Sequence, residues 1–221
     1  MSISKTRRAT LKATLAACVG LSGLLMSAAN VTAAPTVNLR MSSSLPGDMN
    51  SSHYVWFDRF QSNLKASVGD SVKIAYFPNN MFGKESDVVQ QVRLGAVDMM
   101  VSGTSIWSTL SPEVGVLDLG YLFTNNEHAG RALDGNAGKI LTGLLLNKAN
   151  VVTLGYGFSL GARNVYTKNP LKTPEDLKGV KVRVLPVPNF VATLKAMGAS
   201  AVPMPFGEIY TGLQMGVIDG V

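Results

Sequence analysis

The chain is predicted to be an α/β protein of two similarly built lobes, and three observations carry the expectation. Strand-like and helix-like patterns alternate along nearly all of it after the first thirty-odd residues. A helix that ends on glycine and runs into an apolar strand occurs twice, as Leu94-Gly95-Ala96-Val97-Asp98 and as Met215-Gly216-Val217-Ile218-Asp219. With 221 residues, 46% of them hydrophobic and 15% charged, there is material for one large or two small cores. Helix–glycine–strand junctions are common, so the repeat by itself also admits coincidence.

The first 34 residues read as an export signal. Lys5, Arg7, Arg8 and Lys12 form a basic start, Ala13–Ala29 an apolar run, and Val31-Thr32-Ala33 a small-residue cleavage site, with cleavage after Ala33 or Ala34. The run is short and broken by Gly20, Ser22 and Gly23, which disfavours a membrane anchor. Arg7-Arg8 resembles a twin-arginine signal, and both the twin-arginine and the general secretory routes lead to the periplasm. Cys18, the one cysteine, matches a lipid-acylation box by letter, but too short an apolar stretch precedes it. The mature chain then has no cysteine and depends on its core. The net charge of +6 is concentrated at the start. Without those four basic residues, 16 basic face 14 acidic side chains, and no nucleic-acid partner is expected.

The remaining elements follow in order. Val37–Met41 is a short strand leading into a serine-rich loop, Ser42–Ser52. Ser52–Ala66 is a helix with Trp56, Phe57, Phe60 and Leu64 on one face. Val72, Ile74 and Tyr76 alternate in a strand closed by Pro78. Lys84–Leu94 is a helix with Val88, Val89 and Val92 inward, and Val97–Ser102 the next strand. Helices are expected near Asn126–Leu133 and Ala137–Asn147, a strand at Val151–Phe158, and an extended path at Asn164–Thr167. Thr173 suits an N-cap, Pro174 the first helical position, and Glu175 and Asp176 the helix dipole, with Gly179 ending the turn. Strand Val180–Leu185, helix Asn189–Met197, strand Ala201–Met204 and helix Phe206–Met215 complete the chain. The first lobe is assigned to residues 35–155 and the second to 156–221. The chain stops at the start of a probable strand, so an incomplete second lobe is expected.

Two arginines stand out. Arg183 lies inside an apolar strand and Arg163 beside one. A guanidinium is always charged and needs a partner when it is removed from water. Either that partner is an acid such as Glu175 or Glu208, or it is an anionic ligand held by a bidentate fork. Phe206 and Tyr210, one helical turn apart, are either core or the wall of a pocket facing a ligand's carbon skeleton. Gly157-Phe158-Ser159-Leu160-Gly161 spells a nucleophile elbow, but extended sequence follows it and His53 and His128 both precede it, which argues against a serine hydrolase. No metal-ligand spacing or phosphate-cradling loop is present, so no cofactor and no metal is expected.

Taken together, several stretches resemble the DctP-type solute-binding proteins of tripartite ATP-independent periplasmic (TRAP) transporters. They are Thr173 to Val184, Met197-Gly198-Ala199, Pro203 to Tyr210 and Leu213 to Gly220, and earlier Phe82 to Glu85, Gln91 to Asp98 and Ser111 to Phe123. The family usually has proline where this chain has Gly120. The resemblance implies a two-lobed, clam-shell periplasmic binding protein, not an enzyme, that acts as a monomer and delivers an organic acid to a TRAP permease. It implies that Arg183 is the main salt bridge to the ligand carboxylate, that Arg163 assists, and that Phe206 lines the pocket. The family's ligand-contacting asparagine follows the Asp-Gly pair by a few residues, beyond Val221 here. A solute-binding component of another transporter or sensor class is the alternative reading.

Overall fold

The computed structural model describes residues 36–157 and 161–221, so the export signal, Cys18 and Ser159 lie outside the described residues. Thr36 to Val221 forms one compact unit. Its first half is a parallel sheet of β1 (Val37–Ser42), β2 (Val72–Phe77) and β3 (Met99–Met100) in the order β2-β1-β3. Parallel neighbours require crossovers, and helices α1 (Ser52–Val68) and α2 (Glu85–Arg93) supply them. Ser51 caps α1 by accepting from the Tyr54 amide at 3.4 Å, and Gly69, at φ +64°, ends it. The apolar face of α1 lies on the sheet: Phe57 packs with Met41, Ile74 and Val101, and its ring stacks on Tyr76 with centroids 4.6 Å apart.

A second apolar cluster joins this half to the next. Val89 of α2 and Ile106 pack against Val187, with Trp107, Leu185 and Phe190 around them. Two 3-10 helices, Thr104–Thr109 and Pro112–Asp118, carry the chain between the halves. Sequence patterning does not reveal them, because their serine, proline and glycine content interrupts any 3.6-residue period. Helices α3 (Asn126–Asp134) and α4 (Asn136–Ala149) follow, and Leu141 and Leu145 of α4 close over Val114.

The second sheet pairs β4 (Lys181–Val184) with β5 (Ser200–Pro203) in parallel through α5 (Pro188–Ala196). Thr173 is the N-cap as expected, here of a 3-10 turn, Pro174–Leu177, and Asp176, expected only to suit the helix dipole, completes a reciprocal cap with it. The expected helix from Phe206 splits into a 3-10 turn, Phe206–Glu208, and α6 (Ile209–Gln214). The last residues run beside β4, where the Arg183 amide donates to the Gly220 carbonyl at 2.8 Å and Ile218 is fully buried. Thr167 bridges Gly220 from the other side, which confirms the extended path at Asn164–Thr167 in part.

One expectation fails. Residues 151–157 form no strand; Val152 and Leu154 are 66% and 64% exposed, and no described strand pairs with them. Alternating apolar side chains favour a strand only where a neighbouring backbone offers a ladder.

The repeated junction is real in three dimensions. Gly95 and Gly216 both take positive φ, at +74° and +70°. The amides of Ala96 and Val97 both bond to the Gln91 carbonyl, and those of Val217 and Ile218 both bond to the Gly212 carbonyl. Asp98 then accepts from the Arg40 amide at 2.8 Å, and Asp219 from the Lys181 amide at 3.1 Å. In each half a carboxylate therefore clamps the adjacent strand at a basic residue.

Gly220 tests how tightly the chain end is seated. A Cβ there would lie 2.4 Å from the Tyr166 carbonyl oxygen and 2.5 Å from Thr167 Cγ2. Gly220→Ala is expected to destabilise the protein by about 1–3 kcal/mol, read from denaturant melts. An unchanged melt would show that this edge gives way freely.

Candidate ligand-binding site

In parallel sheets, ligands collect beyond the carboxyl ends of the strands. At that end of the first sheet the serine loop is tightly held. Ser42, Ser43 and Ser44 are all buried. The Ser43 amide donates to the Phe77 carbonyl at 2.9 Å, and the Asn80 amide to the Ser43 carbonyl at 3.1 Å. Ser43 Oγ sits 2.8 Å from His53 Nδ1 and accepts from the Leu45 amide at 3.1 Å. This leaves Ser44 Oγ to donate to Glu85 Oε1 at 3.0 Å, at the first turn of α2.

At the same end of the second sheet stands Arg183. Its Nε donates to the Met204 carbonyl at 2.8 Å, which fixes the plane of the guanidinium. Its Nη2 is buried and has no hydrogen-bond partner. Burial lowers the pKa of Arg183, the charge of Glu85 counters this, and the like charge of Arg163 adds to it. Glu85 in turn is raised by burial and held back by Ser44 and Arg183.

Arg163 reaches the same region from the extended segment after residue 160. By residue area it is exposed, but its guanidinium carbon lies 4.3 Å over the centre of the Phe190 ring, a cation–π contact that removes one face from water. Burial lowers its pKa and Asp118 opposes the shift. Asp118, the last residue of the 3-10 helix Pro112–Asp118, is pushed up to about 6 by burial despite Arg163, and its Oδ2 is buried without a partner.

The structure thus brings Arg163 and Arg183 together, each facing an acid that local sequence does not point to. Glu85 reads as an ordinary helix-dipole residue and Asp118 as a polar break in an apolar run. Neither of the acids expected as structural partners is used: Glu208 pairs with Lys84 at 2.7 Å, and Glu175 is exposed. The Lys84–Glu208 pair and the closeness of Asn80 to Gly207 set the Phe206–Glu208 turn against the loop before α2. Phe206 is 42% exposed there. Tyr210 is 77% exposed. Surface hollows on α3, by Glu127 and Arg131, and on β1–β2, by Arg40 and Lys73, share no residue with the arginine cluster. Charge and orphaned polar atoms, rather than a closed cavity, mark the site.

Two parallel-stranded lobes whose loops and cations meet in this way have the arrangement of a solute-binding protein. The chain belongs to the DctP family of bacterial extracellular solute-binding proteins, family 7, whose model matches residues 47–221. It is 37% identical over 169 residues to the 2,3-diketo-L-gulonate-binding periplasmic protein YiaO of Escherichia coli K12, across 76% of this chain and 51% of that protein. A TRAP periplasmic solute-binding protein of Citrobacter koseri with bound D-glucuronate superposes with a TM-score of 0.77 at 34% identity, covering 83% of this chain and 60% of that one. One from Roseobacter denitrificans with bound L-galactonate gives 0.78 at 32% identity, covering 84% and 61%. The fold is accordingly the two-lobed α/β fold of these proteins. The chain spans about half the length of the curated relatives it matches.

Buried His53 yields a prediction about the loop beside Glu85. Desolvation lowers its pKa to about 4, below the ordinary value near 6.5. The unfolded state then binds more protons between those values, so stability falls as pH drops from about 6.5 to about 4, by roughly 3 kcal/mol. His53→Gln should remove that share of the acid sensitivity, measured as the difference between paired denaturant melts. Parallel pH profiles for the two proteins would show that His53 does not titrate in this way.

Proposed function

We propose that the chain is a periplasmic binding protein that captures an organic acid between its lobes and hands it to a TRAP-type membrane permease. The observation that carries the reading is Arg183, with Nε already fixed and Nη2 buried and unpaired. A ligand carboxylate satisfies that nitrogen, and the partly dehydrated setting strengthens the attraction. Arg163 supplies a second cation, held flat on Phe190. Glu85 offers acceptor oxygens at the level of Ser44, suited to the hydroxyls of a polyhydroxylated acid. Relatives and structural neighbours whose names include diketogulonate, glucuronate and galactonate favour sugar acids as the ligand class.

In this reading Phe206 forms an apolar wall at the mouth of the site and Tyr210 a more distant rim. Residues 35–155 and 156–221 belong to the two lobes. Capture needs no nucleophile, and the chain is read as a monomeric carrier rather than an enzyme. Residues 1 to about 33 direct export and are removed; N-terminal sequencing of periplasmic protein should begin near Ala34, and a lipid on Cys18 would overturn that assignment.

The test uses the full-length gene product and a thermal-shift screen of D-glucuronate, D-galacturonate, L-galactonate and 2,3-diketo-L-gulonate, followed by calorimetry. Arg183→Lys keeps the charge but loses the fork, and affinity should fall at least tenfold, about 1.4 kcal/mol or more. Arg163→Ala should cost less than Arg183→Ala, because Arg163 is more solvated. Unchanged affinity in Arg183→Lys removes the anchor assignment, and a larger loss at Arg163 reverses the two roles.

A further inference from the structure

Asp118, half-buried with one oxygen fully enclosed, is the ionisable group that simple capture of an anion leaves without a task. Its setting is built. The Asn189 side-chain amide donates to the Gly115 carbonyl at 2.6 Å, tying the 3-10 helix Pro112–Asp118 to the start of α5. Val114 is buried under α4. Phe190, next to Asn189, carries the Arg163 guanidinium on its ring. The segment that carries the carboxylate is thus held on both sides, and one carboxylate oxygen is buried and receives no hydrogen bond.

The other charged groups around it are accounted for. Glu113, on the same 3-10 helix, is paired with Lys148 of α4 and accepts from Ser111 Oγ at 2.9 Å. The neighbouring 3-10 helix Thr104–Thr109 has no charged side chain. The remaining cations on the packed helices are Lys139 of α4 and Lys195 of α5, and of all these groups it is Arg163 whose charge Asp118 feels. Arg163 therefore acts on Asp118 through its charge at a distance, the two forming no ion pair within 4 Å among the described residues.

We propose that capture of an organic carboxylate by Arg163 and Arg183 is coupled to the uptake of one proton by Asp118. The inference rests on the function proposed above. In the empty site Arg163 serves Asp118. An arriving carboxylate takes over that positive charge and places a second anion beside a desolvated one, and both changes favour the neutral acid. The proton comes from solvent and adds to a carboxylate oxygen of Asp118; no other bond is made or broken, and the negative charge brought by the ligand is offset. Burial has already brought Asp118 to about 6, so a modest further rise carries it through neutral pH. Binding that takes up protons tightens as pH falls. Each unit by which the ligand raises the Asp118 pKa gives about a tenfold gain in affinity between the alkaline and acid limits.

Glu85 differs in its partner. It too is a desolvated acid next to an arginine, but Ser44 donates to it at 3.0 Å and offsets part of the rise that burial causes.

The experiment is calorimetric titration of D-glucuronate into the full-length gene product near neutral pH, in phosphate and in Tris. These buffers differ widely in ionisation enthalpy. The expected result is a buffer-dependent heat corresponding to an uptake of about half a proton, with affinity rising several-fold from about pH 8 to about pH 6. Asp118→Asn should still bind and should lose both effects, while Glu127→Gln, at an exposed acid on α3, should keep both. If Asp118→Asn melts out, Asp118→Leu replaces it. Heat independent of buffer in the natural chain, or uptake undiminished in the Asp118 variant, overturns the coupling. Failure to bind any of the four sugar acids removes the proposed function and the coupling together; binding without proton uptake removes the coupling alone.

Discussion

The proposed site depends on a guanidinium whose orientation the fold itself fixes. Arg183 sits in a four-residue strand between buried Val182 and Val184, with its backbone amide tied to Gly220 and its Nε to Met204. Two other backbone segments thereby fix one residue, one through its amide and one through its side chain. The entropy of ordering a long side chain is met during folding rather than on binding, which is the usual route by which preorganisation raises affinity. The cost is a buried Nη2 without a partner, a local destabilisation held in place by the surrounding sheet.

The two halves solve the same geometric problem in the same way. Each must turn a helix into a strand within four residues and then register that strand beside an existing one. A positive-φ glycine makes the turn, paired amides bond back into the helix, and an aspartate locks the register at Arg40 or Lys181. Because an aspartate that accepts a backbone amide cannot slide by one residue without losing it, the clamps also decide which strand side chains face inward. In the second sheet that choice leaves Val182 and Val184 buried and Arg183 on the opposite, half-buried face.

How much of this was legible in the sequence follows from the range of the interactions. Arg183 could be found because a permanent charge in an apolar run is anomalous within a few residues. The Thr173 cap and the paired glycine junctions are likewise local signals. Glu85 and Asp118 could not be found, since the cations that give them meaning lie 98 and 45 residues further along. The two 3-10 helices carry too little periodicity to register. Residues 151–157 erred in the other direction: their alternation is genuine, but a strand is a property of a pair. Phe206 and Tyr210 share spacing but not environment, because the helix expected to present both is divided between a 3-10 turn and α6.

The Lys84–Glu208 pair bears on how the protein lets go. Its side chains are 55% and 49% exposed, so water and dissolved ions compete for both ends of the contact. A bond of that kind guides two surfaces into alignment without holding them there. The Phe206–Glu208 turn and the loop before α2 therefore meet through a contact that gives way readily, while the dehydrated polar atoms, Arg183 Nη2 and Asp118 Oδ2, are other groups. Under the proposed function, an empty carrier of this build would part there with little resistance, and how long it stayed shut would be set by what it carried.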